Sequence, residues 1–427
     1  MEKLKVILIG AGDRGRIYIS RMPKDKFEVV GVADPVPALR QFVKETYGLS
    51  EDRCYETWED ILSVPKFADV CIIATMDQMH YGPCMKAIEL GYDILLEKPV
   101  SADYKECVAM ANAAKAKGTK VLVCHVLRYA PFFMKIKEMI NEGLLGQVLS
   151  VHHTECVGHV HQSHSFVRGN WGNSERSSCM ILQKCCHDMD IMQWLVGSRC
   201  KKVHSFGSLS HFTKENAPEG SPERCDKTCP IYDTCYYNAV KLYLEDEKNT
   251  WFRMAATKKE SPTNEDVAEA LKTTQYGKCV YKCDNDVVDH QVVNLEFENG
   301  AVASFNMSAF NEGGRYIRVM GTNGELSGSI GDMLLEFFDF RTRKKTKIDL
   351  ENATASNSIV GGHGGGDQGL MNSLYDYITG ACDEKELSAI GISVDNHLIS
   401  FAAEISRLEN RIIDLDEFAK ELGYNNQ

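Results

Sequence analysis

The sequence predicts an α/β protein that begins with a doubly wound parallel sheet. Short apolar runs alternate with segments of helical length over the first 125 residues, which is typical of right-handed strand–helix–strand units. A glycine-rich turn follows the first run, and an aspartate ends the second. After residue 285, β-rich runs joined by Asn-Gly dipeptides predict hairpins. The chain of 427 residues is therefore expected to contain two domains of different architecture.

The strands predicted for the first domain are short, continuous apolar runs. They are LKVILI (4–9), FEVVGVAD (27–34), ADVCIIAT (68–75), YDILLEK (92–98) and KVLVCHV (120–126). Helices are expected between them, over 16–22, 38–48, 80–90 and 102–117. Because ligands of such sheets bind outside the carboxyl ends of the strands, the residues that end these runs are candidate site residues.

The turn after the first strand has the spacing of a dinucleotide-binding loop. It contains Gly10, Ala11, Gly12, Asp13, Arg14 and Gly15. Gly10 permits a tight turn, Gly12 lets the backbone approach a pyrophosphate, and Gly15 allows the next helix to pack closely on the strand. The N-terminus of that helix faces the phosphates. Asp34, which ends the second strand, is predicted to accept hydrogen bonds from the adenosine ribose, and this favours NAD over NADP.

The composition is that of an ordinary globular protein, with 44% hydrophobic and 25% charged residues. The net charge of −12 disfavours non-specific binding to nucleic acid or to an anionic membrane. The N-terminal apolar run is only about five residues long and leads into glycines, so we expect no signal peptide, no membrane span and a cytoplasmic location. Most of the 16 cysteines stand singly in apolar segments, as buried thiols do in a reducing compartment.

Three further segments resemble the glucose–fructose oxidoreductase/inositol dehydrogenase (Gfo/Idh/MocA) family. They are ATMDQMHYGPCMKAIELGYDILLEKPVS (74–101), LRYAPFFMKIKEMINEGLLGQV (127–148) and CCHDMDIMQWLVG (185–197). The first is similar to the family's run from an alanine–threonine loop, through a histidine and a helix, to a strand that ends in Glu-Lys-Pro. The second resembles its crossover helix, and the third its Gly-x-His-x-x-Asp helix.

The resemblance implies a Rossmann domain over 1–126 and a C-terminal α+β domain over 127–427. The second domain is expected to be built on a large open, mostly antiparallel sheet, whose exposed face often mediates oligomerisation in the family. A homodimer or homotetramer is therefore expected, and an insertion at about 214–284 separates two segments of the sheet. The implied activity is the reversible, NAD-dependent oxidation of a secondary hydroxyl of a sugar or glycoside.

Lys98 and His187 are the predicted catalytic residues. Lys98 stands at the carboxyl end of a predicted strand, where it can donate a hydrogen bond to the reacting oxygen or relay a proton, and Glu97 is expected to hold its ammonium. The resemblance implies a catalytic role for this lysine and a cis bond before Pro99. The motif match also makes His187 the family's catalytic histidine, which takes the alcohol proton as hydride leaves carbon.

One position departs from the family pattern. Gln183 stands where the family usually has an aspartate, four residues before His187. Either Gln183 still contacts a substrate hydroxyl, or proton transfer depends more on Lys98 and Lys184.

Other candidate site residues come from the family motifs and from two loops. Beyond the glycine turn and Asp34, the predicted cofactor contacts are Thr75, His80, Glu97, Lys98, Arg168 and Trp171. The predicted substrate contacts are Arg128, Gln183, Lys184, Asp190, His290, His363 and Asp367. Arg168 and Trp171 belong to the loop HVHQSHSFVRGNWGN (159–173), whose counterparts in relatives reach over the cofactor and substrate. The three histidines of this loop fit no standard metal-ligand spacing.

A cysteine cluster in the insertion suggests a structural metal site. Cys225, Cys229 and Cys235 fall within eleven positions, and Cys283 or, alternatively, Cys279 is the expected fourth ligand of a tetrahedral zinc ion. The spacing is not that of a standard zinc ribbon, so an iron–sulfur cluster or a metal-free group of thiols remains an alternative.

Two other functions are compatible with the same residues. One is an NAD-dependent glycosidase of the α-N-acetylgalactosaminidase type, which oxidises C3 transiently, eliminates the aglycone, adds water and re-reduces the sugar. The other is a non-catalytic regulator that senses NAD or a sugar, which the presence of both Lys98 and His187 disfavours.

Overall fold

The first domain of the structure, a computed structural model that describes residues 3–350, 363–382 and 387–424, contains a parallel sheet. Six strands lie in the order β3-β2-β1-β4-β5-β6. They are β1 (Leu4–Ile9), β2 (Phe27–Ala33), β3 (Cys54–Tyr55), β4 (Val70–Ile73), β5 (Asp93–Leu96) and β6 (Val121–Val123). The predicted doubly wound parallel sheet is confirmed. Sequence analysis missed only β3, because two residues carry no periodicity.

Helices connect these strands, and all but α3 lie where the sequence predicts them. They are α1 (Asp13–Arg21), α2 (Pro37–Tyr47), α3 (Trp58–Ser63), α4 (Tyr81–Leu90) and α5 (Tyr104–Lys117). The side chains of Thr57 and Asp103 accept hydrogen bonds from backbone N–H groups at the starts of α3 and α5, which fixes both helix starts.

The second sheet has nine strands in the order β14-β13-β12-β11-β7-β10-β9-β8-β15. The strands are β7 (Val148–Cys156), β8 (Cys200–Ser208), β9 (His290–Phe297), β10 (Val302–Ser308), β11 (Gly314–Gly321), β12 (Gly324–Ser329), β13 (Leu334–Asp339), β14 (Lys344–Asp349) and β15 (Ile413–Asp414). β7 and β10 run parallel, and the other neighbours are antiparallel, so the expected mostly antiparallel sheet is confirmed. Buried and exposed residues alternate along β9, which shows that one face is covered and the other open.

The remaining helices cover the inner face of this sheet or belong to the insertion. They are α6 (Pro131–Asn141), α7 (His159–His161), α8 (Met180–Gln183), α9 (Cys186–Val196), α10 (Thr250–Thr257), α11 (Asn264–Thr273), α12 (Gly366–Thr379), α13 (Ile390–Glu409) and α14 (Leu415–Glu421). Helix α9 covers the segment expected for the Gly-x-His-x-x-Asp helix, and it is separate from α8, which ends at Gln183.

Helix α12 returns to the first sheet although it lies in the segment assigned to the second domain. Leu370, Met371 and Leu374 share a core with Val6 and Leu8 of β1. Helix α13 contacts α5 of the first domain and α9 and β8 of the second. Helices from the C-terminal part of the chain thus pack against both sheets. The domain boundary between residues 126 and 127 stays a prediction.

The insertion leaves the sheet after β8 and returns at β9. Its helices α10 and α11 enclose a small core of their own, formed by Tyr243, Phe252, Val267 and Leu271. Among the described residues, none of the helices combines the length and apolar character needed to cross a bilayer.

Candidate functional site

The glycine turn after β1 has the close contacts that its sequence predicts. Gly10 has a φ of +90°, and a Cβ there would lie 2.5 Å from the Ala74 carbonyl oxygen. A Cβ on Gly15 would lie 2.1 Å from the Gly10 carbonyl oxygen. A Cβ on Gly12 would instead enter open space. Gly10 and Gly15 are therefore required by packing, whereas Gly12 leaves room beside the turn.

Asp34 ties the end of β2 to this turn. Its carboxylate accepts hydrogen bonds from the backbone N–H of Ala11 at 2.7 Å and of Val36 at 2.8 Å. The guanidinium of Arg40 donates to the Asp34 carbonyl oxygen at 2.5 Å. Asp34 thus shapes the turn directly, and the predicted contact with a ribose would use its remaining acceptor capacity.

Arg14 points from the turn into the protein. Its Nε donates to Glu97 at 2.9 Å, and its Nη2 donates to Asp367 and to the Tyr18 hydroxyl, each at 2.6 Å. The Tyr18 hydroxyl donates to the same Glu97 oxygen at 2.6 Å. Burial raises the pKa of Glu97, but the positive charges of Arg14 and Lys98 outweigh it and hold that pKa below its ordinary value. Arg14 and Asp367 therefore join the glycine turn to the end of β5.

Lys98 follows β5 at the carboxyl edge of the sheet, and the Lys98–Pro99 bond is cis, as expected. Its Nζ donates to the Gln183 carbonyl oxygen at 2.6 Å. Glu97 bonds the Lys98 backbone N–H instead of the ammonium. The expected Glu97–Lys98 side-chain hydrogen bond is wrong, because Arg14 and Tyr18 compete for that carboxylate.

His80 holds two loops of this edge together. Its ring nitrogens lie 2.8 Å from the Pro99 carbonyl oxygen and 3.2 Å from that of Thr75. The predicted cofactor residue His80 is thus a support for the Lys98–Pro99 turn, and its ring is buried.

His187 lies in the first turn of α9 with 5% of its surface exposed. Two predicted substrate residues near it bind each other, since Arg128 donates to both carboxylate oxygens of Asp190 at 2.8 Å. Arg128 also donates to the Leu387 carbonyl oxygen at 3.0 Å, and Asn396 donates to Asp190 at 2.5 Å. Both charges are buried. The structure therefore favours a role for this ion pair in stabilising the position of α9 over a role in contacting a ligand.

His125 adjoins His187, and His397 adjoins His125 on its other side; the sequence alone pointed to neither. The centroid of the His125 ring lies 5.7 Å from that of His187 and 5.4 Å from that of His397. The available signal for His125 was its position at the carboxyl end of a predicted strand, β6. His397 gave no signal, because a histidine inside an apolar helix resembles any core residue.

Lys184 belongs to a buried ion cluster. Its Nζ lies 3.3 Å from Glu155, whose other oxygen lies 2.7 Å from Arg315 Nε. Arg315 Nε and His153 Nε2 both lie 2.8 Å from Asp188. Although burial raises the pKa of Asp188, Arg315 and His153 hold it well below its ordinary value. Glu155 therefore fixes the Lys184 ammonium next to Gln183.

The loop over 159–173 is anchored to the insertion. Arg168 is 1% exposed, and its guanidinium donates to the carbonyl oxygens of Lys278 at 2.9 Å and Tyr237 at 2.7 Å. The predicted cofactor contact of Arg168 is not supported, because its donors bind insertion backbone. Trp171 is half-buried and packs on Phe166, with ring centroids 5.9 Å apart.

The remaining predicted substrate residues are dispersed. His290 is exposed at the start of β9, and its described contacts are with Asp289 and Ser208. Asp367 lies at the start of α12 with Arg14. The side chain of His363 lies outside the described residues.

The cysteines of the insertion do not form the predicted zinc site. Cys225, Cys229, Cys235 and Cys279 line one cavity, and Cys283 donates to the Cys279 carbonyl oxygen at 3.5 Å. However, no group of three or more potential ligands within the described ranges has metal-binding geometry. The zinc prediction is therefore not supported, and Cys235 and Cys283 pack in an apolar cluster with Phe212 and Tyr237.

The insertion also reaches the first domain. Glu260, in the turn between α10 and α11, forms an ion pair with Arg16 in α1. Arg16 bonds Asp13 at 2.8 Å and lies over the Phe42 ring. The insertion thus extends from the 159–173 loop to the helix that begins at the glycine turn.

The residues at the carboxyl edge fit a bound dinucleotide. Helix α1 begins at Gly12 without a side-chain cap, which leaves its first N–H groups for an anion. The Thr75 hydroxyl beside Gly10 is buried and has no hydrogen-bond partner in the described chain. Together with the open space at Gly12, these donors suit a pyrophosphate and its riboses.

Comparisons with known proteins agree with this architecture. YteT of Bacillus subtilis, named as an oxidoreductase, is 25% identical over 412 residues, which cover 88% of this chain and 90% of that protein. An inositol 2-dehydrogenase/D-chiro-inositol 3-dehydrogenase of Lactiplantibacillus plantarum is 27% identical over 51% of this chain and 60% of its own length. A 2,7-anhydro-N-acetylneuraminate hydratase of Escherichia coli is 29% identical over 36% of this chain and 40% of its own length.

Solved structures share the fold. Levoglucosan dehydrogenase in complex with NADH and levoglucosan superposes with a TM-score of 0.68 at 18% identity, over 97% of this chain and 100% of that one. The family model for an oxidoreductase family with an NAD-binding Rossmann fold matches residues 4–125, and the model for its C-terminal alpha/beta domain matches 137–357. The chain therefore belongs to the Gfo/Idh/MocA oxidoreductase family.

Proposed function

We propose that this protein is an NAD-dependent oxidoreductase that reversibly oxidises a secondary hydroxyl of a sugar, glycoside or related cyclic polyol. The observation that carries the proposal is the position of Lys98. Its ammonium lies at the carboxyl edge of the sheet that bears the glycine turn, and it bonds the carbonyl oxygen of Gln183, at the end of the helix that precedes the helix of His187. The inositol and levoglucosan dehydrogenases among the similar proteins support a polyhydroxylated substrate.

NAD, when bound, supplies the hydride acceptor. Lys98 is then placed to donate a hydrogen bond to the substrate oxygen, which polarises the hydroxyl before hydride departs. In this proposal His187 takes the hydroxyl proton. The Lys98 ammonium donates to the backbone carbonyl oxygen of Gln183. The side chain at position 183 is therefore not needed to orient this lysine.

The proposal is tested by NAD⁺ reduction against a panel of sugars, glycosides and cyclic polyols. We expect a stoichiometric rise in NADH absorbance with at least one of them. Replacing Lys98 by Met should lower kcat/KM by about 10²- to 10⁴-fold, the range of general acid–base contributions, while NADH still binds. If Lys98→Met keeps full activity, the assignment of Lys98 fails.

The hydratase relatives favour one second candidate, a redox-neutral reaction on a glycoside or anhydrosugar. In that reaction the substrate is oxidised transiently and re-reduced, as the NAD-dependent glycosidase prediction requires. Conversion of substrate at catalytic NAD⁺, without accumulation of NADH, would support this candidate over the simple dehydrogenase.

The predicted homodimer or homotetramer stays a prediction. Apolar and aromatic side chains exposed on the open face of the second sheet support it: Leu149, Phe206, Val302 and Tyr316. Light scattering of the purified protein tests it.

A further inference from the structure

His125 is a buried histidine that the proposed mechanism does not use. It lies just after the end of β6, with only Cys124 between, so it lies at the same edge of the sheet as Lys98. Its exposed fraction is 0%, and neither ring nitrogen has a hydrogen-bond partner within the described residues. Burying unpaired polar atoms costs free energy, and such exceptions in a folded protein call for an explanation.

The charged and titratable groups around His125 are mostly engaged with other partners. His397 uses both ring nitrogens, because Nδ1 donates to the Ser393 carbonyl oxygen at 2.6 Å and Nε2 accepts from the Val100 N–H at 3.0 Å. Burial lowers the pKa of His397 to about 3, so this ring stays neutral. His397 therefore packs against His125, but both of its ring nitrogens are already used and it forms no hydrogen bond with His125.

The ionic neighbours of His125 are similarly held. Arg128, in the turn after β6, and Asp190, on α9, bind each other. At the end of β5, Glu97 binds Arg14, and Lys98 donates to a carbonyl oxygen. The remaining ring beside His125 is that of His187, inclined to it by 81°.

We propose that His125 is a positioning residue that stabilises the protonated form of His187. The inference rests on the proposed function, in which His187 takes the hydroxyl proton. That proton binds one ring nitrogen of His187, whose other nitrogen then carries an N–H. This N–H donates to a lone pair of His125, and no proton is transferred to His125.

The geometry suits this role after a small movement. Imidazoles joined by a linear hydrogen bond of about 2.9 Å have centroids about 5 Å apart, and the observed separation is 5.7 Å. Burial lowers the pKa of His125, with Arg128 and Lys98 acting in the same direction and Asp190 opposing them. The lowered pKa favours the neutral ring, which keeps a lone pair to accept the bond.

The test measures the proton affinity of His187 without substrate. Full-length protein labelled with ¹⁵N-histidine is titrated by NMR, and the His187 signal is assigned by its loss in His187→Asn. We expect His125→Phe to lower the pKa of His187 by about one unit, a tenfold loss of proton affinity. His125→Gln, whose amide oxygen can accept the bond, should restore most of that shift. His152→Gln, on the exposed sheet face, is the control and should change nothing.

An unchanged pKa of His187 in His125→Phe overturns the proposal. Equal shifts in the Phe and Gln variants also overturn it, since packing alone would then explain them. If His125→Phe does not fold, as judged by circular dichroism, His125→Met takes its place as the variant without a nitrogen or oxygen acceptor.

The NMR titration measures the pKa of His187 without turnover, so a failure of this inference can be told apart from a failure of the proposed function. If the pKa pattern holds but the wild type reduces NAD⁺ with no compound in the panel, only the proposed function fails. If the enzyme is active, the acid limb of its kcat/KM profile should move to lower pH in His125→Phe by the same shift.

Discussion

At the scale of single residues, the ion pair of Arg14 and Glu97 connects the glycine turn to the strand end at Lys98. The sequence placed Arg14 in the phosphate turn and Glu97 beside a catalytic lysine. In the structure the two side chains bind each other, and Asp367 of α12 binds the same guanidinium. The glycine turn, the strand end at Lys98 and a helix from the other end of the chain are thus held by one ionic group.

We expect Glu97→Gln to destabilise the protein by about 2–4 kcal/mol at pH 7, because it removes one partner of a largely buried ion pair. The folded-state pKa of Glu97 is depressed, so its contribution is present above its unfolded pKa and disappears as pH falls through the folded value. Urea denaturation at pH 7 measures the loss. Glu89→Gln, which removes an exposed partner of Lys86, should cost less than about 1 kcal/mol. Equal effects of the two substitutions would contradict the role given to Glu97.

At the scale of elements, the insertion organises the loop over 159–173. His164 of that loop stacks on Phe252 of α10 with centroids 3.9 Å apart and bonds the Tyr243 hydroxyl at 2.7 Å. Arg168 holds insertion carbonyl oxygens from the other side. The insertion therefore packs directly on the loop over 159–173.

The Arg16–Glu260 pair gives the insertion a second attachment, close to the glycine turn. We expect Glu260→Gln to raise the dissociation rate of NADH by up to about fivefold, since a half-exposed ion pair contributes at most about 1 kcal/mol. Stopped-flow fluorescence measures this rate, and high salt should reduce the difference between variant and wild type. Glu265→Gln, an exposed residue of the same helical hairpin, is the matched control. An unchanged rate in Glu260→Gln would mean that the contact does not retain the cofactor.

Across the whole molecule, buried neutral histidines link stability to pH. Burial lowers the pKa of His164, in the 159–173 loop, and of His397, in α13, to about 3 each. Below the ordinary value of about 6.5 the unfolded chain binds protons that the folded protein does not. The stability that these residues contribute is therefore fully present above pH 6.5 and is lost as pH falls.

We expect the free energy of unfolding to fall by at least about 3 kcal/mol between pH 7.5 and 5.5, because His164 and His397 contribute about 1.4 kcal/mol each. Burial also lowers the pKa values of His161 and His125, and these two residues add to the loss. Urea denaturation at the two pH values measures the difference. In His164→Phe the difference should shrink by about 1.4 kcal/mol, whereas in His152→Gln, an exposed residue, it should stay unchanged. A stability that does not change over this range would contradict the assignment of neutral buried rings.

Local motifs predicted well whatever depends on neighbours in the chain. The strand–glycine turn–helix unit, the strand end at Lys98 and the hairpin at Gly300 all lie where expected, because their backbone geometry follows from a few adjacent residues. The roles of Arg14, Arg128, Asp190 and Arg168 were less predictable. A charged side chain binds whichever partner the fold brings near, and these partners lie 62 to 353 residues away in the chain.

The sequence by itself determined the parallel sheet, the phosphate turn, the second antiparallel sheet and the position of Lys98 at the cofactor edge. Periodicity and glycine spacing encode these features locally. Only the tertiary structure decided that Glu97 binds Arg14, that α12 completes the first core, and that His125 lies against His187. It also decided that the cysteines have no metal-binding geometry among the described residues. The physical reason is that buried ionic and aromatic contacts depend on distances between remote segments, which residue spacing does not specify.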